Sequence, residues 1–119
     1  MDAFKHVNNA AYLTYLEECR DEWLACVLSE DFVNQFVIAR VAVDYRSQVT
    51  QADDIVEVAL EVTRVGSSSV TTRETITVPS DGRLAVEADA VLVHIDWKSG
   101  GSKPLSEELR RQIQSTPWL

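Results

Sequence analysis

The sequence predicts an α+β domain in which one long helix is wrapped by a curved antiparallel sheet. Three observations carry this expectation. An apolar stripe at helical spacing runs from about Asn9 to Leu28. Four long stretches rich in Val, Ile and Thr then follow one another, with apolar and polar residues in alternation. Turn residues rather than helical crossovers separate these stretches, so successive strands read as antiparallel.

In the first element, Tyr12, Leu16, Cys19, Trp23 and Cys26 recur at steps of four, three, four and three residues, and Leu13, Leu24 and Val27 widen the stripe. Glu17, Glu18, Arg20, Asp21 and Glu22 take much of the remaining surface, and Ser29-Glu30-Asp31 breaks the pattern. A first strand is expected from Phe36 to Ser47, where Val41, Val43 and Tyr45 alternate with Ala42, Asp44 and Arg46. A polar connector, Gln48 to Asp53, carries the turn into a second strand from Asp54 to Val65. Gly66-Ser67-Ser68-Ser69 reads as a turn with Gly66 at positive φ. Val70 to Val78 alternates again, Pro79-Ser80-Asp81-Gly82 is a hairpin-turn signal, and Leu84 to Trp97 is the longest strand. Lys98 to Lys103 is a flexible connection, and Pro104 and Ser106 open a short polar helix that runs to about Gln114. The long helix is the only element able to cover the apolar face of the sheet.

The 119 residues read as one domain, residues 1–119, with an ordinary hydrophobic share of 45%. A net charge of -8 argues against nucleic acid and against anionic membrane surfaces, both of which call for basic faces. No apolar stretch approaches the roughly 20 residues of a membrane span, and no signal peptide is visible. Cys19 and Cys26 lie seven residues apart on one helix, about 10 Å at ~1.5 Å per residue. That exceeds the ~7 Å Cα limit of a disulfide, so both read as reduced packing residues of a cytoplasmic protein. No His, Cys and Asp grouping has metal-ligand spacing, and no Gly-rich phosphate loop or Gly-x-Ser-x-Gly run is present, so neither a metal nor a cofactor is expected.

The chemistry-bearing stretch is the beginning, Asp2-Ala3-Phe4-Lys5-His6-Val7-Asn8-Asn9. A carboxylate and an imidazole stand immediately before a helix start that Asn8 and Asn9 are suited to cap. The first N–H groups of a helix have no partner within it, and the helix dipole favours negative charge there. The arrangement is therefore suited to holding an oxyanion.

Asp2-x-x-x-His6-Val7-Asn8-Asn9-x-x-Tyr12-x-x-Tyr15-x-Glu17-x-x-Arg20 resembles the signature of the 4-hydroxybenzoyl-CoA thioesterase-like acyl-CoA thioesterases, which have the hotdog fold. Val43-Asp44-Tyr45-Arg46, Asp54 before a long strand, Arg64-Val65-Gly66-Ser67-Ser68 and Lys103-Pro104-Leu105 fit the same family in order. The resemblance implies hydrolysis of acyl-CoA thioesters by a homodimer or homotetramer, with active sites between subunits. Asp2 falls on the family's catalytic carboxylate, either nucleophile or general base. Asn9 falls where a backbone N–H polarises the thioester carbonyl. His6 stands as a secondary site residue beside its reading as a loop-packing histidine. Gly66, Ser67 and Ser68 become contacts for the CoA arm, with Arg46, Arg64 and Arg73 as nearby phosphate candidates that otherwise read as exposed strand residues. An acyl tunnel is expected beside the long helix, lined by Tyr12, Tyr15 and Leu16. The competing reading is a non-catalytic hotdog module that binds acyl-CoA or acyl-carrier protein.

Two departures from the family stand out. Lys5 replaces the Gly that usually precedes the histidine. The family also begins with a strand ahead of the Asp, whereas Met1 alone precedes it here, so the first strand is expected to belong to a longer, untrimmed chain. On residue chemistry alone, Glu17 and Arg20 are three apart and can pair as structural residues, with Glu17 pointing into the site as the alternative, and His94 is expected to pack or hydrogen-bond within its apolar strand.

Overall fold

The computed structural model describes residues 9–28, 35–47, 49 and 55–115. Helix α1 spans Asn9–Val27, followed by strands β1 (Phe36–Tyr45), β2 (Glu57–Val65), β3 (Ser69–Val78) and β4 (Arg83–His94), and by helix α2 (Glu107–Ser115). Each expected element is present, with its ends shifted by at most three residues. The layering is that of a hotdog fold, a long helix against one curved antiparallel sheet.

The order of the strands departs from a simple meander. Across the sheet they run β1-β4-β3-β2, all neighbours antiparallel. The connector after β1 therefore does not close a hairpin; it joins the two opposite edges. Three strand spacings of ~4.8 Å separate those edges, about 14 Å in all, and residues 46–56 have ample reach for it at ~3.3 Å each. The sequence of β4 explains why it lies inside the sheet. It is the longest strand, and Ala85, Val86, Ala88, Ala90, Leu92 and His94 are all buried. Register shifts in β1 between Ile38 and Arg40 and in β2 between Val62 and Arg64 bend the two edges.

The core falls into two apolar clusters. One joins Tyr12 and Leu16 of α1 to Val49, Ile76, Val78 and Val86. The other joins Trp23 and Leu24 to Phe36, Leu60, Val70 and Leu92, and is closed by Leu105, Leu109 and Ile113 around α2. Between the clusters lies a buried polar group. Arg20 donates through Nε to Glu74 Oε2 at 3.0 Å and through Nη2 to Glu74 Oε1 at 2.6 Å. The Thr72 hydroxyl donates to Glu74 Oε2 at 2.8 Å. Arg20 thus pairs across the core with β3 and not with Glu17, contrary to the local i,i+3 expectation. Glu74 follows Val70 and Thr72 in the inward phase of β3, where only an ion-paired carboxylate is tolerable. Of the two cysteines, Cys19 packs against the Trp23 cluster, whereas Cys26 is exposed and takes no part in the core.

The turns are fixed by specific bonds. In the β3–β4 hairpin, Gly82 has φ 72° and its N–H donates to Val78 O at 2.8 Å. Gly66, in contrast, is not at positive φ. A Cβ there would meet Ser69 Oγ at 2.7 Å, a contact that rotation of the Ser69 side chain relieves, and the Ser69 backbone oxygen only at 3.6 Å. The α2 segment clamps this turn. Arg110 Nη2 donates to Gly66 O at 2.8 Å, and the Leu105 N–H donates to Ser67 O at 2.9 Å. Ser106 Oγ accepts the Leu109 N–H at 3.1 Å and caps α2. His94 is buried as expected: its Nδ1 lies 3.1 Å from Lys103 O, and its ring lies 5.0 Å from that of Phe36.

Two stability predictions follow from this packing. Glu74→Leu leaves the Arg20 cation buried without its carboxylate and is expected to lower unfolding free energy by about 3–5 kcal/mol. Combining it with Arg20→Met should recover most of that loss in urea titrations; equal loss in the double variant would count against an uncompensated charge as the cause. Gly82→Ala places a side chain at φ 72° with open space around it, so only backbone strain of about 1–2 kcal/mol is expected, read as a lower midpoint of thermal unfolding.

Candidate functional site

Asn9, the expected oxyanion donor, is the first described residue of helix α1. Asp2 and His6 lie outside the described residues. The start of α1 is tied to the sheet by Tyr12. Its hydroxyl accepts the Val49 N–H at 3.0 Å, and its ring lies 5.7 Å from that of Tyr45. Tyr12 is therefore a buried support of the helix start, packed in the core with Leu16.

A groove of about 460 Å³ runs beside the helix. Among the described residues, α1 packs chiefly on β2 and β3 and leaves the β1 side of the sheet open. Leu13, Leu16 and Leu24 form the helix wall, and Phe36, Ile38 and Val41 form the β1 wall. An apolar groove beside the long helix was expected. Among its residues, Leu16 matches the expectation, while Tyr12 and Tyr15 are turned to the neighbouring core cluster. Glu17, Arg20 and Asp21 also line it. Burial, reinforced by the nearby Glu17 carboxylate, raises the Asp21 carboxyl above its usual pKa of 3.8, while Arg20 pulls in the opposite direction.

The structure does not bring the Gly66-Ser67-Ser68 turn to the start of α1 within one chain. Tyr12 packs with Val78, whereas the turn adjoins Val70 at the other end of β3. The intervening strand length is about 26 Å at ~3.3 Å per residue. The turn's carbonyls are already engaged: Gly66 O by Arg110, Ser67 O by Leu105 N–H and Ser68 O by His94 N–H. The exposed Ser67 side chain remains directed to the surface. Of the basic candidates, Arg73 is ion-paired with Glu87, and Arg46 Nη2 lies 3.6 Å from Glu87 Oε2 and 3.7 Å from Asp44 Oδ2. Arg64 is exposed. Arg110, a residue not singled out in the sequence, is the cation that touches the turn. Among the described residues, no three His, Cys, Asp or Glu side chains converge as metal ligands, and no helix is long and apolar enough to cross a membrane.

Comparison with known proteins agrees with this geometry. The chain is 27% identical over 118 residues to the long-chain acyl-CoA thioesterase FadM of Escherichia coli K12, covering 96% of this chain and 89% of the relative. A thioesterase from Thermus thermophilus, crystallised with coenzyme A and zinc, superposes with a TM-score of 0.82 at 29% identity, over 97% of this chain and 84% of that one. YbaW, a probable thioesterase from Escherichia coli, superposes with a TM-score of 0.79 at 27% identity, over 96% and 88% of the respective chains. The model of the thioesterase-like superfamily matches residues 1–113. With a match across nearly its whole length and a long helix packed on one antiparallel sheet, the chain belongs to the thioesterase-like superfamily.

Proposed function

We propose that this thioester hydrolase acts on acyl-CoA, with Asp2 as the catalytic carboxylate and the backbone N–H at Asn9 as the donor to the thioester oxygen. The observation that carries the reading is the superfamily match, which includes the Asp2–His6–Asn9 stretch, together with the start of α1 at Asn9. The named activity of FadM supports acyl-CoA as the substrate class.

Thioester hydrolysis passes through a tetrahedral oxyanion. A preorganised N–H at a helix start, backed by the helix dipole, stabilises that charge by about 3 kcal/mol relative to a site without it. The carboxylate of Asp2 then serves one of two routes. As nucleophile it attacks the carbonyl carbon, CoA leaves as the thiolate, and water hydrolyses the resulting mixed anhydride. As general base it takes a proton from water, whose oxygen attacks the same carbon. Both routes release free acid and CoA and draw only on protein groups and water. His6, four residues beyond Asp2, is read as a secondary group that orients this segment.

The site is read as shared between subunits of a homo-oligomer. The start of α1 and the Gly66–Ser68 turn stand at opposite ends of one sheet, so a substrate touching both takes them from different chains. Among the described residues, strand β1 is a sheet edge that exposes Val37, Ile38, Val41 and Tyr45, a surface suited to pairing with a further strand or a second chain. Cys19 and Cys26 form no disulfide, and a reducing, cytoplasmic setting is the reading that accords with this.

Two measurements test these assignments. Thiol release from a panel of acyl-CoAs is expected to fall about a hundredfold or more in Asp2→Asn; undiminished turnover would remove Asp2 from the mechanism, and saturable binding without turnover in the parent would favour a binding module. Val37→Glu on the β1 edge should shift sedimentation from oligomer toward monomer, whereas a monomeric parent would end the shared-site reading.

A further inference from the structure

We propose that Arg110 is a positioning residue for acyl-CoA. From α2 it holds the Gly66 peptide in the orientation that turns the Ser67 and Ser68 N–H groups outward, toward a phosphate of the CoA arm. The inference rests on the acyl-CoA reading for the substrate and adds the residue that sets affinity for its phosphates.

The direction of the two N–H groups follows from the bonds made by the carbonyls. In a trans peptide the N–H points away from the C=O that precedes it, and among the described residues no peptide is cis. Gly66 O accepts from Arg110 Nη2 at 2.8 Å, so the Ser67 N–H is directed away from α2. Ser67 O accepts the Leu105 N–H at 2.9 Å, so the Ser68 N–H is likewise turned from the segment that leads into α2. Ser68 O and Ser69 O are engaged as well, by the His94 N–H and the Gly66 N–H, both at 2.8 Å. Every carbonyl of the turn is thus held from within, whereas the Ser67 and Ser68 N–H groups meet no acceptor among the described residues. Successive N–H groups left in this way form a concavity suited to an anion.

Arg110 fits the task by shape and by charge. Its guanidinium reaches two consecutive carbonyls, Gly66 O and, through Nη1 at 3.5 Å, Val65 O. An ammonium group does not reproduce that fork. Of the described arginines that are buried or half-buried, Arg20 faces Glu74 and Arg83 faces Asp81, but Arg110 meets carbonyl oxygens only. Its charge therefore stays uncancelled behind the turn, in a chain of net charge -8, and favours an anion on the outward side. The helix that carries it is anchored independently. Leu105, Leu109 and Ile113 are buried in the core and Ser106 caps the first turn, so loss of the guanidinium leaves α2 docked. Arg111, the next residue, is exposed and pairs with Glu108, which makes it the control position.

The discriminating substrates are dodecanoyl-CoA and S-dodecanoyl-pantetheine, which keeps the thioester and the arm but has no phosphate. Arg110→Met is expected to raise KM for dodecanoyl-CoA by about tenfold while kcat stays within about twofold, and to leave both constants for the pantetheine thioester unchanged. Arg110→Lys, which restores the charge without the fork, should recover only part of the KM change, and Arg111→Met should have no effect. Circular dichroism checks that the variants keep the fold, and the Lys variant carries the same comparison if the Met variant does not. The Kd of the non-hydrolysable thioether dodecyl-CoA, titrated calorimetrically, should rise in Arg110→Met by the same factor as KM. Equal KM changes for the two thioesters, or an unchanged KM for dodecanoyl-CoA, overturn the positioning role and leave the hydrolase reading standing. A thioether Kd that responds to Arg110→Met, without turnover of any acyl-CoA by the parent, does the reverse. Neither turnover nor thioether binding by the parent overturns both.

Discussion

The bidentate contact between Arg20 and Glu74 is the constraint on which the rest of the molecule depends. It sits between two apolar clusters, and each of its partners belongs to the face of its element that the clusters share. Apolar packing tolerates sliding of a helix along a sheet by a turn or a residue pair. A guanidinium that must meet one carboxylate does not. Buried ion pairs of this kind contribute little net stability compared with apolar residues of similar volume, so its effect here is positional. It fixes α1 over β2 and β3, sets where Asn9 stands, and determines how much of the β1 side stays uncovered.

From that placement the functional features follow in sequence. The helix start is presented at one end of the sheet, tied by Tyr12 to the Val49 backbone. The groove is the space the helix leaves beside β1, so its width and its charged wall are consequences of the same docking. The other end of the sheet is shaped by α2, whose Arg110 and preceding Leu105 N–H hold the Gly66–Ser67 carbonyls. One polar contact in the core and one clamp at the rim thus divide the chain into an end that carries the start of α1 and an end that carries the Gly66–Ser67 turn.

Much of this was legible in the sequence, where the signals are local. The helical stripe through Tyr12, Leu16 and Trp23 and the alternation in β2, β3 and β4 located the elements closely, because periodicity depends only on neighbouring residues. The opening Asp2–His6–Asn9 motif pointed to an oxyanion site through its residue types and its place before a helix, and to thioester chemistry through its resemblance to a family signature. What escaped were the relations between distant residues. Connector length does not specify which strand β1 pairs with, and the insertion of β4 between β1 and β3 is set by where the most apolar strand can be buried. Glu74 carried a signal, an acidic residue in the inward phase Val70-Thr72-Glu74-Ile76, but its partner is 54 residues away. The local partner Glu17 was the wrong choice because a surface pair contributes little, while an unpaired carboxylate in the core is prohibitive. Gly66 was misread as a left-handed turn residue, because its place in a turn sequence does not specify its φ.

The placement of β4 between β1 and β3 also has a bearing on how the chain comes together. Phe36 pairs with His94, and every residue pair of the β1–β4 ladder joins segments that are far apart along the chain. During synthesis, the residues of β1 emerge long before β4, their partner among the described strands, while β2 and β3 can already close their short hairpin. Closing so long a loop is slow, and it comes late relative to local hairpins. Through that interval the apolar residues of β1 are exposed to whatever surrounds the ribosome. The same strand that frames the groove in the finished protein is therefore the segment most in need of protection while the protein is being made.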